Sequence, residues 1–194
     1  MDDKIRTFIG LEIGEKSRQQ AFELGQKLSQ AGAIVKWEPA HKLHITLQFL
    51  GEVPNVEVYS ICREVQKGVE KVAPFSFCLK GAGAFPKVER PRSVWLGVDE
   101  GREEVTQLAR RVDEAMQKLG FPRELRPFVP HVTLGRVQRT TEELGDLSRL
   151  IQQYNATDSG KTFARHVTIF ASQMARTGSQ YTVLATAPLI GENS

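Results

Sequence analysis

Cysteine is nearly absent from this chain: Cys62 and Cys78 are the only two among 194 residues. Each sits among apolar neighbours, as small buried hydrophobes do, and neither suggests a metal site. Long apolar runs are lacking too. No stretch approaches the ~18 apolar residues of a membrane span, and the opening Met-Asp-Asp-Lys-Ile-Arg lacks the apolar core of a secretion signal. A soluble, cytoplasmic protein with no membrane partner is the expectation. Charge of one sign is also scarce. The 26 basic and 23 acidic residues leave +3, too small a surplus to establish a nucleic-acid partner.

What is present is a chain with 40% apolar and 25% charged residues, long enough to fold as a single domain of two packed lobes over 1–194. Strand chemistry marks 4–13, 43–50, 75–84, 93–98, 128–137, 163–171 and 180–187. Helical spacing marks 15–31, where Ala21, Leu24 and Leu28 recur, and 55–72, where Val58, Ile61, Val65 and Val69 share a face. It returns at 102–119 and 141–153. Gly51 with Pro54 is read as a strand stop, and the Pro-rich stretch 85–92 as a connection between strands. Helices that interrupt strands without regular alternation point to an α+β fold. Basic residues cluster at Lys87, Arg90 and Arg92, and again at Arg123, Arg126, Arg136 and Arg139, as a basic rim around a phosphate pocket would.

One short pattern repeats. His44-Ile45-Thr46-Leu47 reappears as His131-Val132-Thr133-Leu134 nearly half a chain later, each after a proline-containing approach, Pro39 or Pro130. This spacing suggests two lobes related by a pseudo-twofold axis. Because side chains alternate faces along a strand, His44 and Thr46 project together while Ile45 and Leu47 point to a core, and the second copy does the same. Two such strands facing each other furnish two imidazoles and two hydroxyls. One imidazole can take a proton from attacking water while the other protonates a leaving oxygen. Thr46 and Thr133 can bond non-bridging phosphate oxygens, and Arg136 can add charge. Arg136 lies at an odd offset from His131, so a bulge at Gly135 is needed to turn it into the cleft. No carboxylate accompanies either motif at close spacing, so no metal or other cofactor is expected. A third copy, His166-Val-Thr168, is read as a strand residue outside the chemistry, and His41 as a surface residue.

These motifs resemble the 2H phosphoesterase superfamily, specifically its RNA 2',3'-cyclic phosphodiesterase (2'-5' RNA ligase) branch. The resemblance runs through Arg6-Thr-Phe8-Ile-Gly, Leu43-His-Ile-Thr-Leu-Gln-Phe-Leu-Gly51, Gly83-Ala-Phe-Pro86, Pro91-Arg-Ser-Val-Trp-Leu-Gly97, Phe128-Val-Pro-His-Val-Thr-Leu-Gly-Arg136 and Gly178-Ser-Gln-Tyr-Thr-Val-Leu184. It implies two antiparallel-rich sheets framing a central basic cleft, with helices packed outside. It further implies metal-independent opening of RNA 2',3'-cyclic phosphate ends to 2'-phosphomonoesters, with His44 and His131 catalytic and Thr46, Thr133 and Arg136 on the phosphate. His131 would be the base and His44 the acid. Reversible 2'-5' ligation of RNA, transfer-RNA fragments included, is implied as well, by what is expected to be a monomer. Phe8 and Phe128 are the candidates to stack on a terminal base. The competing readings are a phosphodiesterase for small cyclic nucleotides or ADP-ribose cyclic phosphate, and a non-catalytic RNA-binding module.

Overall fold

The segments rich in β-branched and aromatic residues form strands and the segments of helical spacing form helices in a computed structural model that describes residues 3–175 and 178–192. The chain runs β1 (Lys4–Glu12), α1 (Glu15–Ser29), β2 (Val35–Trp37), β3 (His44–Pro54), α2 (Val58–Val69), β4 (Phe75–Lys87), β5 (Arg90–Val98), α3 (Arg102–Gln117), β6 (His131–Val137), α4 (Leu144–Gln153), β7 (Asp158–Ala164), β8 (His166–Ala175) and β9 (Gly178–Pro188). Each helix buries the stripe its spacing defines. Ala21, Leu24 and Leu28 face inward from α1, and Ile61, Val65 and Val69 from α2. Val105, Leu108 and Val112 do so from α3, and Leu147 and Ile151 from α4. No described helix is long and apolar enough to cross a membrane.

The strands form an antiparallel sheet in the order β7-β4-β5-β6-β3-β1-β8-β9, with β2 added to β6. The fold is thus α+β. Along this order four strands stand on each side of the β6–β3 junction, where Ile45 pairs with Val132, and β2 adds a fifth to the β6 side. Helices α2 and α3 pack together over the β3 and β9 side, and α1 and α4 pack over the β4, β5 and β7 side. Each half therefore carries two helices. The two motif strands, distant in sequence, are central neighbours in space.

Several local expectations are revised. β3 does not stop at Gly51 but continues to Pro54. Thr7 pairs with Gly51 while Phe8 pairs with Phe49, so Leu50 is an extra residue, and Gly51 at φ +76° absorbs the bulge instead of ending the strand. The Pro-rich stretch is no loop: β4 and β5 run through it and pair Pro86 with Pro91 and Lys87 with Arg90 around a turn at Val88 and Glu89. The single strand expected at 163–171 is two. β7 pairs with β4 in one half, β8 pairs with β1 and β9 in the other, and Arg165 separates them. The strand expected from residue 128 begins at His131, and β2 was not anticipated. Neither cysteine is fully buried. Cys78 sits between Phe77 and Leu79, which take the core side of β4.

Candidate active site

The two motif strands place their residues as alternation requires. Ile45, Leu47, Val132 and Leu134 are buried, while His44, Thr46, His131 and Thr133 are half-buried on the opposite face. Ile45 lies directly across from Val132 in antiparallel register. That register sets His44 on the side of Thr133 and Thr46 on the side of His131. The structure thus brings all four residues together at the junction of the two halves.

Both imidazoles are held in the same way. His44 Nδ1 lies 2.6 Å from the Lys42 carbonyl, and His131 Nδ1 lies 2.6 Å from the Val129 carbonyl, each two residues upstream. A carbonyl only accepts, so Nδ1 carries the proton in both rings and Nε2 is left for chemistry. The Thr46 hydroxyl sits 3.0 Å from His44 Nε2 and donates to it when the ring is neutral. Aromatic rings brace each imidazole. Phe8 stacks on His44 at 4.9 Å between centroids, and Tyr181 meets it edge-on at 5.6 Å. Phe85 meets His131 edge-on at 5.0 Å, and Trp95 lies at 6.1 Å. Gly10 makes room for the first arrangement, because a Cβ there would stand 2.8 Å from the Ile45 carbonyl oxygen and 3.2 Å from the His44 ring.

Burial pushes the proton affinity of both imidazoles below that of a free histidine, against the raising effect of the backbone carbonyls. The Arg136 charge lowers both further, and the Glu12 carboxylate raises His44 alone. Burial also raises the Tyr181 phenol, with Glu38 acting in the same direction and Arg136 and Arg6 opposing it.

Arg136 reaches this face through a bulge, as its odd offset required, but the extra residue is Leu134. Val94 pairs with Gly135 and Trp95 with Thr133, leaving Leu134 unpaired. Gly135 permits the close approach of β2, since a Cβ there would lie 2.8 Å from the Trp37 ring. The other motif strand repeats the device. Ile9 pairs with Gln48 and Gly10 with Thr46, so Leu47 is its extra residue. The fifth position after each histidine is thereby turned back towards the cleft, where one half presents Arg136 and the other Phe49, which is 62% exposed.

Other anticipated residues are distributed differently. Phe8 is 2% exposed beneath His44, which removes it as a base-stacking surface, and Phe128 is half-buried against the core. Arg126 donates twice to Glu124, at 3.1 and 3.0 Å, and these bonds drop the Glu124 carboxyl to about 2. Arg126 is therefore an occupied cation. Lys87, Arg90 and Arg92 are exposed on the β4–β5 hairpin. His41 is exposed and lines a cavity of about 650 Å³ beside the start of α1 that touches neither motif histidine. Sequence reasoning missed Tyr181, Trp95, Phe85 and Glu12 as neighbours of the histidines, although Tyr181, Trp95 and Phe85 lie in segments that carried the family resemblance. Among the described residues no three His, Cys, Asp or Glu side chains gather in a way that could hold a metal ion.

An antiparallel α+β fold that sets two His-x-Thr strands side by side defines the class of the two-histidine phosphoesterases. This chain belongs to the 2'-5' RNA ligase superfamily, whose family model matches residues 21–173. It is 32% identical over 181 residues to an Aquifex aeolicus protein named RNA 2',3'-cyclic phosphodiesterase, covering 93% of this chain and 95% of that one. An Archaeoglobus fulgidus protein of the same name is 33% identical, with 91% and 96% covered. Among solved structures, a Thermus thermophilus protein superposes with TM-score 0.81 at 26% identity over 97% of this chain and 100% of that one. Escherichia coli LigT complexed with 3'-AMP superposes with TM-score 0.75 at 25% identity, over 96% and 99%.

Proposed function

We propose that this chain, acting as one bilobal domain, opens RNA 2',3'-cyclic phosphate ends to 2'-phosphomonoesters by acid–base catalysis between His44 and His131. The observation that carries this reading is the pair of imidazoles fixed through Nδ1 on adjacent strands, each leaving Nε2 to exchange a proton, with the Thr46 hydroxyl 3.0 Å from that of His44. A neutral imidazole accepts a proton as water attacks phosphorus. The bond from phosphorus to the 3'-oxygen breaks, and the second imidazole, which starts protonated, gives its proton to that oxygen. The 2'-oxygen keeps the phosphate. Thr46 and Thr133 donate to the non-bridging oxygens, and Arg136 offsets the negative charge that accumulates on them. The names of the A. aeolicus and A. fulgidus relatives support the same substrate. With a 5'-hydroxyl in place of water the same displacement makes a 2'-5' linkage, and abundant water favours hydrolysis. The enzyme is read as a cytoplasmic monomer, with transfer-RNA fragments among its substrates.

Thr133→Ala and Thr46→Ala remove one hydrogen bond each, and each lowers kcat/KM by the equivalent of about 1 to 3 kcal/mol. Thr46 also serves His44 directly, so its variant shows the larger loss. Steady-state kinetics on one cyclic-phosphate substrate compares the two.

An RNA chain, as opposed to a lone nucleotide, is favoured by the cations beside the site. Lys42 Nζ lies 5.8 Å from the centre of the Tyr181 ring. The Nζ atoms of Lys36 and Lys42 stand 3.7 and 4.0 Å from where a Cβ on Gly178 would sit. The charges of Arg6 and Arg136 also reach Tyr181, against one carboxylate, Glu38. Upstream phosphates bound there displace counterions, so kcat/KM for an oligomer falls steeply with salt while that for a cyclic mononucleotide barely changes. Lys36→Ala with Lys42→Ala flattens the oligomer's log–log slope by about 0.7 for each phosphate no longer neutralised. Equal salt slopes for oligomer and mononucleotide would instead favour a small cyclic nucleotide as substrate. Turnover unchanged after EDTA treatment is the matching expectation for chemistry carried by the imidazoles, and its abolition, restored by added metal, would contradict it.

A further inference from the structure

The third His-x-Thr copy lies on the same face of the sheet as the first. Gly10 pairs with Thr46 on one side and with Thr168 on the other, and Glu12 pairs with His44. Continuing the β1–β8 register by two residues sets His166 across from Glu12. His44, Glu12 and His166 therefore form a row across three strands, with Thr46, Gly10 and Thr168 in the row beside it. The side chains complete the pattern. His166 Nε2 lies 3.2 Å from Glu12 Oε2, and the fully buried Thr168 hydroxyl donates to the same oxygen at 3.3 Å. Both polar groups of the third motif thus converge on one carboxylate oxygen, next to the first motif's histidine.

The surroundings of the two proposed catalytic histidines differ in this respect. His44 is faced by Glu12 from β1, by His131 and Arg136 from β6, by Tyr181 from β9, and by His166 one position further along its row on β8. His131 is faced by Phe85 and Trp95 from β4 and β5, by His44 from β3, and by Arg136 from its own strand. A carboxylate stands beside His44, and none acts on His131 among the described residues. Aromatic rings and the Arg136 charge stand beside both histidines, so the carboxylate is what separates them, and a fixed negative charge favours the imidazolium over the neutral ring.

Resting on the hydrolase reading above and on the acid role that the family resemblance implies for His44, we propose that Glu12, clamped by His166 and Thr168, is a positioning residue that keeps the proton on His44. It acts through His44, as an acidic partner does wherever it stabilises an imidazolium. The third motif is then the support of the first.

Two measurements on the intact chain test this. NMR titration of the His44 and His131 ring protons reads proton affinity without turnover. In Glu12→Gln the His44 midpoint moves to lower pH while that of His131 stays in place, and His166→Ala, which releases the carboxylate, moves His44 with the same sign. No movement of His44 in either variant, or equal movement of both histidines, overturns the proposal whether or not the chain hydrolyses RNA. The second measurement replaces the bridging 3'-oxygen by sulfur, which leaves without a proton. His44→Ala and Glu12→Gln regain activity on this substrate to within about tenfold of wild type, and His131→Ala does not, consistent with the usual worth of one acid or base. Recovery in His131→Ala instead would reverse the roles and sink the assignment. Wild-type protein inert on both substrates counts against the hydrolase reading, which the titration distinguishes from a failure of the Glu12 clamp.

Discussion

His44→Ala and His131→Ala each lower the single-turnover rate on an RNA 2',3'-cyclic phosphate end by about 10²- to 10⁴-fold, the usual worth of a positioned acid or base. The double variant falls little below the worse single one, because two groups that act as a unit do not contribute additively. The expectation follows from how the rings are held. Each Nδ1 is committed to a backbone carbonyl at 2.6 Å, so neither ring can turn its other nitrogen to the substrate, and no other described histidine occupies an equivalent place. Alanine also removes a ring packed against Phe8 and Tyr181, or against Phe85 and Trp95. A thermal melt on each variant therefore separates lost chemistry from lost packing. A fall of less than tenfold in a folded variant would remove that histidine from the mechanism.

Arg136→Met is expected to lower kcat by about 10²- to 10³-fold, the range found when one donor to a developing oxyanion is removed. It has a second signature. Burial holds both His44 and His131 below their ordinary proton affinity, and the Arg136 charge lowers both further. Without it both imidazoles bind protons more readily, so both limbs of the bell-shaped profile of kcat/KM move to higher pH. Removal of a purely structural arginine would lower activity without displacing the profile. Arg136→Lys keeps the charge and loses the planar fork, so it retains the wild-type pH profile with a reduced rate. A full pH series on the three proteins separates charge from geometry.

The motif pair was legible in the sequence because a strand's two-residue period is a local property: His44 with Thr46, and His131 with Thr133, had to share a face wherever the strands went. The helices were legible for the same reason, as the buried stripe Ile61-Val65-Val69 illustrates. What depended on register was not. The bulges at Leu47 and Leu134 exist only relative to partner strands β1 and β5, so the need for one near Gly135 was visible but its residue was not. The break at Arg165 was hidden because Phe163 through Ala171 reads as one β-rich run, although its two parts pair in opposite halves of the sheet. His166 looked incidental for a related reason. Its partner Glu12 is far away in sequence, and only the β1–β8 pairing brings the two to 3.2 Å. Phe8 illustrates the opposite limit: an aromatic residue near a motif has the same sequence signature whether it meets a nucleobase or lies beneath the histidine, and burial at 2% exposure decides for the latter.

The most direct measurement is the identity of the end produced when EDTA-treated protein acts on an RNA oligomer ending in a 2',3'-cyclic phosphate in ¹⁸O-labelled water. The expected product is a 2'-phosphomonoester carrying one labelled oxygen, formed by wild-type protein and lost in His44→Ala and His131→Ala. A 3'-phosphate product, or a 2'-phosphate formed equally well by both variants, would contradict hydrolysis between these two histidines.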